Sequence, residues 1–426
     1  MVVLLWGRRF NPYRWLAVSG GVLGIIPLLA PPKASGYTIW KTTLQRVNIM
    51  GKGCILTFLL VALVFQGALP SGPPESQTTF RGMEEYREIS PGDTPSLPEA
   101  FYYNKEYKIQ WWYFTGHLFD DSGREFGYEL TFFVFGIQKR HYRSQFGVDN
   151  IYVSHFAVSA PGQNTFYFTD TADAGAFGLA GASGNLLKIW VDNDSLQGSP
   201  RQMHLRASGN MRSPDSQTTF RGVNNTALNL ILSPEKQLVL NGEHGYSRKS
   251  TLSPYQASFY FSYTRLKTEG TLTLGGITFP VKGQSWFDRE ISSRGLAATE
   301  RGWDWFSIQL GDQREIMLYL LRNRDGSIGP FSSGSFVYND GRYRHLQKDD
   351  FSVSVLSYYR SKKTGARYPA QWEIRIPSEE VALKITPLMV DQECIAAATT
   401  GNRYWEGTCR VQGTAEGRAY VELTGY

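Results

Sequence analysis

The sequence is poor in the residues that build metal, thiol and nucleophile chemistry. Three cysteines and six histidines occur in 426 residues. His117, His141, His155, His204, His244 and His345 include no pair at metal-ligand spacing, so no bound metal is expected. There is no Gly-x-Ser-x-Gly elbow, the usual sign of a serine hydrolase on an α/β sheet. Glycine motifs for phosphates and dinucleotides are also missing, so no cofactor is expected. No stretch of helix length carries an apolar stripe of period 3.6. Charged residues make up only 19% of the chain.

The net charge of +6 belongs to one end. Residues 1–75 hold seven basic residues and a single acid, Glu75, which leaves 37 basic and 37 acidic residues in the rest. A neutral body excludes the basic footprint of a nucleic-acid binder, and no nucleic-acid partner is expected. The basic residues precede two apolar runs, 15–30 behind Arg8, Arg9 and Arg14, and 54–69 behind Lys52. Each run reads as an export signal and is short for a membrane span. Arg8-Arg9-Phe10 faintly resembles a twin-arginine signal, and Met50 offers a second start, with a compact signal running to about Ser71. The body is therefore expected outside the cytoplasm, free or held at the membrane by an uncleaved leader. Residues 76–100, rich in Pro, Gly, Ser and Glu, read as a linker or extended arm.

Aromatic residues are plentiful at 14%. From about residue 107 they alternate with β-branched and polar residues in short runs: 108–118, 125–137, 151–158, 164–169, 228–232, 258–266, 270–280, 303–310, 315–322 and 411–423. Gly, Asn and Asp separate the runs, which is the pattern of an all-β barrel or sandwich protein. Two hairpins echo each other. Trp111 to Leu118 precedes a turn and Arg124-Glu125, and Trp303 to Leu310 precedes a turn and Arg314-Glu315. The spacing suggests two related domains. A second echo, Ser76 to Gly82 against Ser216 to Gly222, is identical in sequence but has unmatched flanks and no physical explanation. Outside the leader, Cys394 and Cys409 flank the turn signal Gly401-Asn402 symmetrically. They are expected either to be bridged across a hairpin or to be two small buried residues.

Several runs carry a resemblance. Gln110 to Leu118, Ser154-His155-Phe156-Ala157, Gly245 to Lys249, Ser258 to Leu266, Gly283 to Glu290, Gly302 to Phe306, Tyr404 to Gly407 and Ala419 to Tyr426 occur in order. Together they resemble the family of AttH and the carotenoid 1,2-hydratases, also called hydroxyneurosporene synthases. The resemblance covers about 101–426. It implies two tandem lipocalin-like β-barrels after the leader, expected here at 101–252 and 253–426. It also implies a long apolar ligand, isoprenoid-like or lipid-like. Relatives are described as secreted hydrolases, carotenoid hydratases and attachment-related proteins.

Alternate residues of a strand share a face. Trp286, Asp288 and Glu290 therefore point one way, and Phe287 and Arg289 the other. Trp111, Tyr113, Thr115 and His117 likewise share a face. An acid among large aromatics has its charged form disfavoured and suits general-acid work. The resemblance also places the proposed hydratase acid at Asp288, although residue 286 is Trp where that motif has Tyr, and 258–263 holds no histidine. The candidate catalytic residues are Asp288, Glu290 and His155. The candidate ligand wall is Trp111, Tyr113, His117, Trp286, Trp303 and Trp305. The plainer alternatives are an Asp288 salt bridge to Arg265, Arg248 or Arg322, core histidines, and aromatics that simply pack. Three functions follow: an acid–base enzyme, a carrier of lipid or pigment, or a structural attachment protein. A perturbed acid marks the first, a smooth apolar cavity the second, and barrels filled by side chains the third.

Overall fold

The computed structural model describes residues 85–139, 147–209, 226–397 and 399–426. The leader, His141 and both copies of the second echo lie outside the described residues. What is described is all β, apart from short 3-10 turns.

The first sheet contains β1 (Ile109–Asp120), β2 (Glu125–Gly136), β3 (Asn150–Ala160), β4 (Thr165–Asp173), β5 (Ala180–Ala182), β6 (Leu187–Val191), β7 (Asp194–Ser199), β8 (Gln202–Gly209), β9 (Thr226–Pro234), β10 (Val239–Leu240), β11 (Tyr246–Arg248), β12 (Ala257–Leu274) and β13 (Ile277–Ser292). The second contains β14 (Glu300–Leu310), β15 (Glu315–Asn323), β16 (Ser333–Val337), β17 (Tyr343–Gln347), β18 (Ser352–Arg360), β19 (Arg367–Ile376), β20 (Val381–Pro387), β21 (Glu393–Ala396), β22 (Asn402–Gly413) and β23 (Gly417–Thr424). Each sheet begins with a four-strand antiparallel meander, and each pairs its first strand with its last: β1 with β13, β14 with β23. The echoed hairpins β1–β2 and β14–β15 hold equivalent places in the two sheets. These are two lipocalin-like barrels built on one plan. The expected boundary at 252/253 cuts the first sheet, because β12 and β13 join β1 to β9 within it; the sheets part between Ser292 and Glu300.

Strand alternation sets the two faces. Trp112, Phe114 and Leu118 of β1 and Phe287 of β13 enter an aromatic and aliphatic core that occupies the interior of the first barrel. Phe306, Trp372, Trp405 and Val421 do the same in the second. The segment from residue 85 packs on the first barrel, where Phe101 lies against Phe261, Tyr263 and Phe287. Arg289, fully buried over the Trp112 ring, fixes this segment. It donates to the carbonyls of Ala100, Tyr102, Trp111 and Glu290 and to Gln110 Oε1.

The opposite face of β1, β2 and β13 packs on the second sheet. The approach is close: a Cβ on Gly127 of β2 would lie 2.7 Å from Thr408 Cβ of β22, so only glycine fits there. A bulge in β12 between Tyr263 and Leu266 accompanies a second tie, in which Arg265 and Lys236 both reach Glu315 of β15, at 2.5 and 2.8 Å.

The cysteines form no bridge. Cys394 pairs in register with Tyr404, and Cys409 lies between Pro387 and Ala419. The hairpin is not the symmetric two-residue turn that the spacing suggested. Its last pair is Ala396 with Asn402, and Gly401 enters the second strand with φ of 71°. Both thiols are buried, which pushes their pKa values up.

Candidate active site between the barrels

Cross-strand register assembles a row across the outer face of the first sheet: Ser262, Asp288, Tyr113, Thr131 and His155 on five successive strands. A matching row on the second sheet runs Tyr319, Trp305, Glu422 and Glu406. Where the rows meet, Tyr113, Tyr260, Trp286, Trp305, Met317, Tyr319 and Leu321 form a separate buried cluster. Trp111 and Trp303 lie half-buried at its rim.

Asp288 sits in this cluster at 3% exposure. Among the described residues it forms no ion pair, although the Lys249 ammonium over the neighbouring Tyr260 ring feels its charge. The arginines weighed for it are engaged elsewhere: Arg265 with Glu315, Arg322 with Asp304 at 2.8 Å, and Arg248 over Phe331. Its carboxyl accepts from Trp286 Nε1 at 2.7 Å, Tyr260 Oη at 2.5 Å and Ser262 Oγ. Trp305 Nε1 donates in turn to Tyr260 Oη at 3.0 Å. Burial pushes the Asp288 pKa up to about 7; the three hydrogen bonds hold it down and nearby Glu290 lifts it. Such a group holds a proton at neutral pH and can give it away.

The other candidates divide. Glu290 is paired to half-buried Lys249 at 2.8 Å, and that ammonium lies over the rings of Tyr319 and Tyr260. Burial opposes the Lys249 charge, but Glu290 and Tyr319 outweigh it and its pKa rises. Trp111, Tyr113, Trp286, Trp303 and Trp305 all meet at the junction. His155 is in the same row as Asp288 but three strands away, about 14 Å at ordinary strand spacing. It bonds Tyr404 Oη at 2.7 Å and Thr399 Oγ1 at 3.3 Å, and burial lowers its pKa to about 3. His117 ties the barrels together through Thr408 Oγ1 at 2.9 Å and the Ala419 carbonyl at 3.2 Å. Neither histidine reaches Asp288.

Sequence reasoning missed Tyr260, Ser262, Lys249 and three acids. Glu129 and Glu406 are buried in the junction and Glu422 is half-buried beside them. Tyr113 donates to Glu406, and Thr131 to Glu129. Burial lifts Glu422 to about 7 and lifts Glu129 and Glu406 well above the ordinary range, with help from the charges of Glu422 and Asp194 on Glu129 and of Glu129 and Glu422 on Glu406. Their signal was a lone acid at the apolar centre of a strand. The cleft of about 400 Å³ beside His204 and Ile231, on β6–β9, is remote from all of these groups.

Three comparisons bear on this arrangement. The sequence profile of the AttH-like family matches residues 88–426, and the chain belongs to that family. The crystal structure of an AttH protein from Nitrosomonas europaea is 30% identical and superposes with a TM-score of 0.70, covering 80% of this chain and 99% of that one. Kievitone hydratase from Nectria haematococca shares the fold at 13% identity and a TM-score of 0.58, over 80% of this chain and 97% of its own. No curated protein matches the sequence.

Proposed function

We propose that this member of the AttH-like family is an acid–base enzyme that protonates a carbon–carbon double bond of a long apolar, isoprenoid-like molecule, with Asp288 as the proton donor. The observation that carries the reading is the state of Asp288: buried, in no ion pair, held by three neutral donors, and flanked by indoles. A carboxyl near its midpoint at neutral pH suits general-acid catalysis. The faces of Trp286, Trp305 and Tyr113 suit the carbocation that protonation creates, since aromatic faces attract cations. Side chains occupy the first-barrel interior, so the junction is the better place for a ligand than the lumen. That a protein of this fold is a hydratase is consistent with the reading.

The first experiment is mass spectrometry of lipids extracted with the protein purified from its own source. The second is Asp288→Asn. Asparagine keeps the shape of the protonated acid but has no proton to transfer. The variant should fold and bind while turnover drops by about 10²–10⁴-fold. A variant that melts far lower yet turns over normally per folded molecule would make Asp288 scaffold. Export is proposed on the leader alone; recovery of the unprocessed chain as a soluble cytoplasmic protein would refute it.

A further inference from the structure

We propose that Glu129 and Glu406 form a second polar subsite in the same junction, sharing one proton and holding the water that adds to the substrate, as the base opposite Asp288. This rests on the acid–base reading above. The placement follows from the close approach of β2 and β22 at Gly127 and Thr408. Two residues along each strand, on the faces turned inward, come Glu129 and Glu406. One oxygen of each is bound, Glu129 Oε1 by Thr131 and Glu406 Oε1 by Tyr113. The other oxygen of each has no partner within the protein.

Two further groups, neither of them acidic, are in the same condition. Thr115 Oγ1 and Tyr420 Oη are buried without partners. Thr115 is the cross-strand neighbour of Glu129, and Tyr420 lies two pairs along from the Glu406–Glu422 pair, close enough to feel Glu406 and Glu129. Buried polar atoms are nearly always bonded, so four in one place point to a polar guest. The remaining titratable groups around the pair are Glu422, Asp194, Tyr113, Cys394 and Tyr404, none of them cationic. No ion pair reaches Glu129 or Glu406 among the described residues. Two carboxyls this close and dry do not both ionise, and a singly protonated pair exposes one acceptor and one donor. With two hydroxyls beside it, such a pair suits a neutral hydroxyl compound, and water is the smallest.

The step balances. The Asp288 O–H bond breaks, its proton adds to one alkene carbon, and the π pair becomes the new C–H bond. The water oxygen bonds to the adjacent cationic carbon and releases one proton, which the Glu129–Glu406 pair takes as its second. Return of that proton to Asp288 restores the enzyme, and the net change is alkene plus water to alcohol.

The test uses the full chain in two measurements. In the first, the protonated-carboxyl C=O stretch is followed against pH by infrared spectroscopy in the parent, Glu129→Gln and Glu406→Gln. A signal that outlasts ordinary glutamic acids and shrinks in both variants is expected. A signal unchanged in both overturns the pair. In the second, an acyclic isoprenoid polyene with a terminal isopropylidene group is incubated in D2O. Glu406→Gln should lose alcohol formation by about 10²-fold or more and lose less deuterium incorporation at the olefin, so that the ratio of deuteration to alcohol rises. Asp288→Asn should lose both. Alcohol formed at the parent rate by both glutamine variants overturns the base. If the parent neither deuterates nor hydrates the polyene, the olefin reading fails for this substrate, and the infrared titration still decides the pair.

Discussion

At the scale of the residue, the proton on Asp288 couples chemistry to stability. Burial raises its pKa from the ordinary 3.8 to about 7, so between those values the folded chain holds a proton that the unfolded chain has lost. Stability therefore falls as pH rises across that window. Asparagine does not titrate. The stability difference between the parent and Asp288→Asn should move by about 4 kcal/mol in favour of the variant between about pH 4 and 7. His155 acts in the opposite sense over about pH 3 to 6.5, but it is common to both proteins and cancels. Urea melts at a series of pH values measure the swing, and parallel curves would mean that Asp288 is ionised in the fold. Much of this was legible in the sequence. A strand alternates by geometry, so Trp286, Asp288 and Glu290 had to share a face, and an acid among indoles had to be perturbed. The partner of Tyr113 was not legible. Glu406 lies 293 residues away, on a different sheet, and no periodicity encodes how two sheets stack.

At the scale of the element, Arg289 shows what a strand can hold. It alternates away from Asp288 into the first barrel, where its guanidinium binds carbonyls rather than an acid. Burial drives its pKa down, yet the fan of acceptors matches its five donors. Arg289→Met would leave those carbonyls unsatisfied and release the segment over Phe101. A loss of about 3–5 kcal/mol is expected in a urea melt, and a loss under about 1 would show that the clamp is idle. The hairpin β21–β22 teaches the converse. The turn signal was real, since Gly401 does take a left-handed conformation, but the register lay with the strands that flank the loop. Cys394 and Cys409 should resist alkylation in the native protein, and both should react once it is denatured without reductant. A missing pair of thiols would restore the bridge.

At the scale of the whole molecule, buried charges tie the two barrels together. Glu315 carries both Lys236 and Arg265 in a nearly dry contact. Glu315→Gln strands two buried cations and should lower stability by about 3–5 kcal/mol in thermal or urea unfolding. An unchanged midpoint would place the coupling in the aromatic junction instead. The tandem plan was legible in the echoed hairpins, because each opens its own sheet. The division between domains was not, because β12 and β13 read like any other strands and only their pairing shows which barrel they close.

That each sheet pairs its first strand with its last also bears on how the protein is made. As the ribosome releases the chain, β1 waits for β13, and the two halves of the first sheet cannot join until Ser292 is free. The junction waits longer, because Tyr420 and Glu422 arrive only with β23, the strand that seals β14. A chain stopped short of residue 417 would already carry Asp288 and its hydrogen-bond partners Tyr260, Ser262 and Trp286, but not the wall that keeps water from them. The packing of the second sheet over Asp288 thus depends on β23, and a chain that stops before it lacks Tyr420 and Glu422.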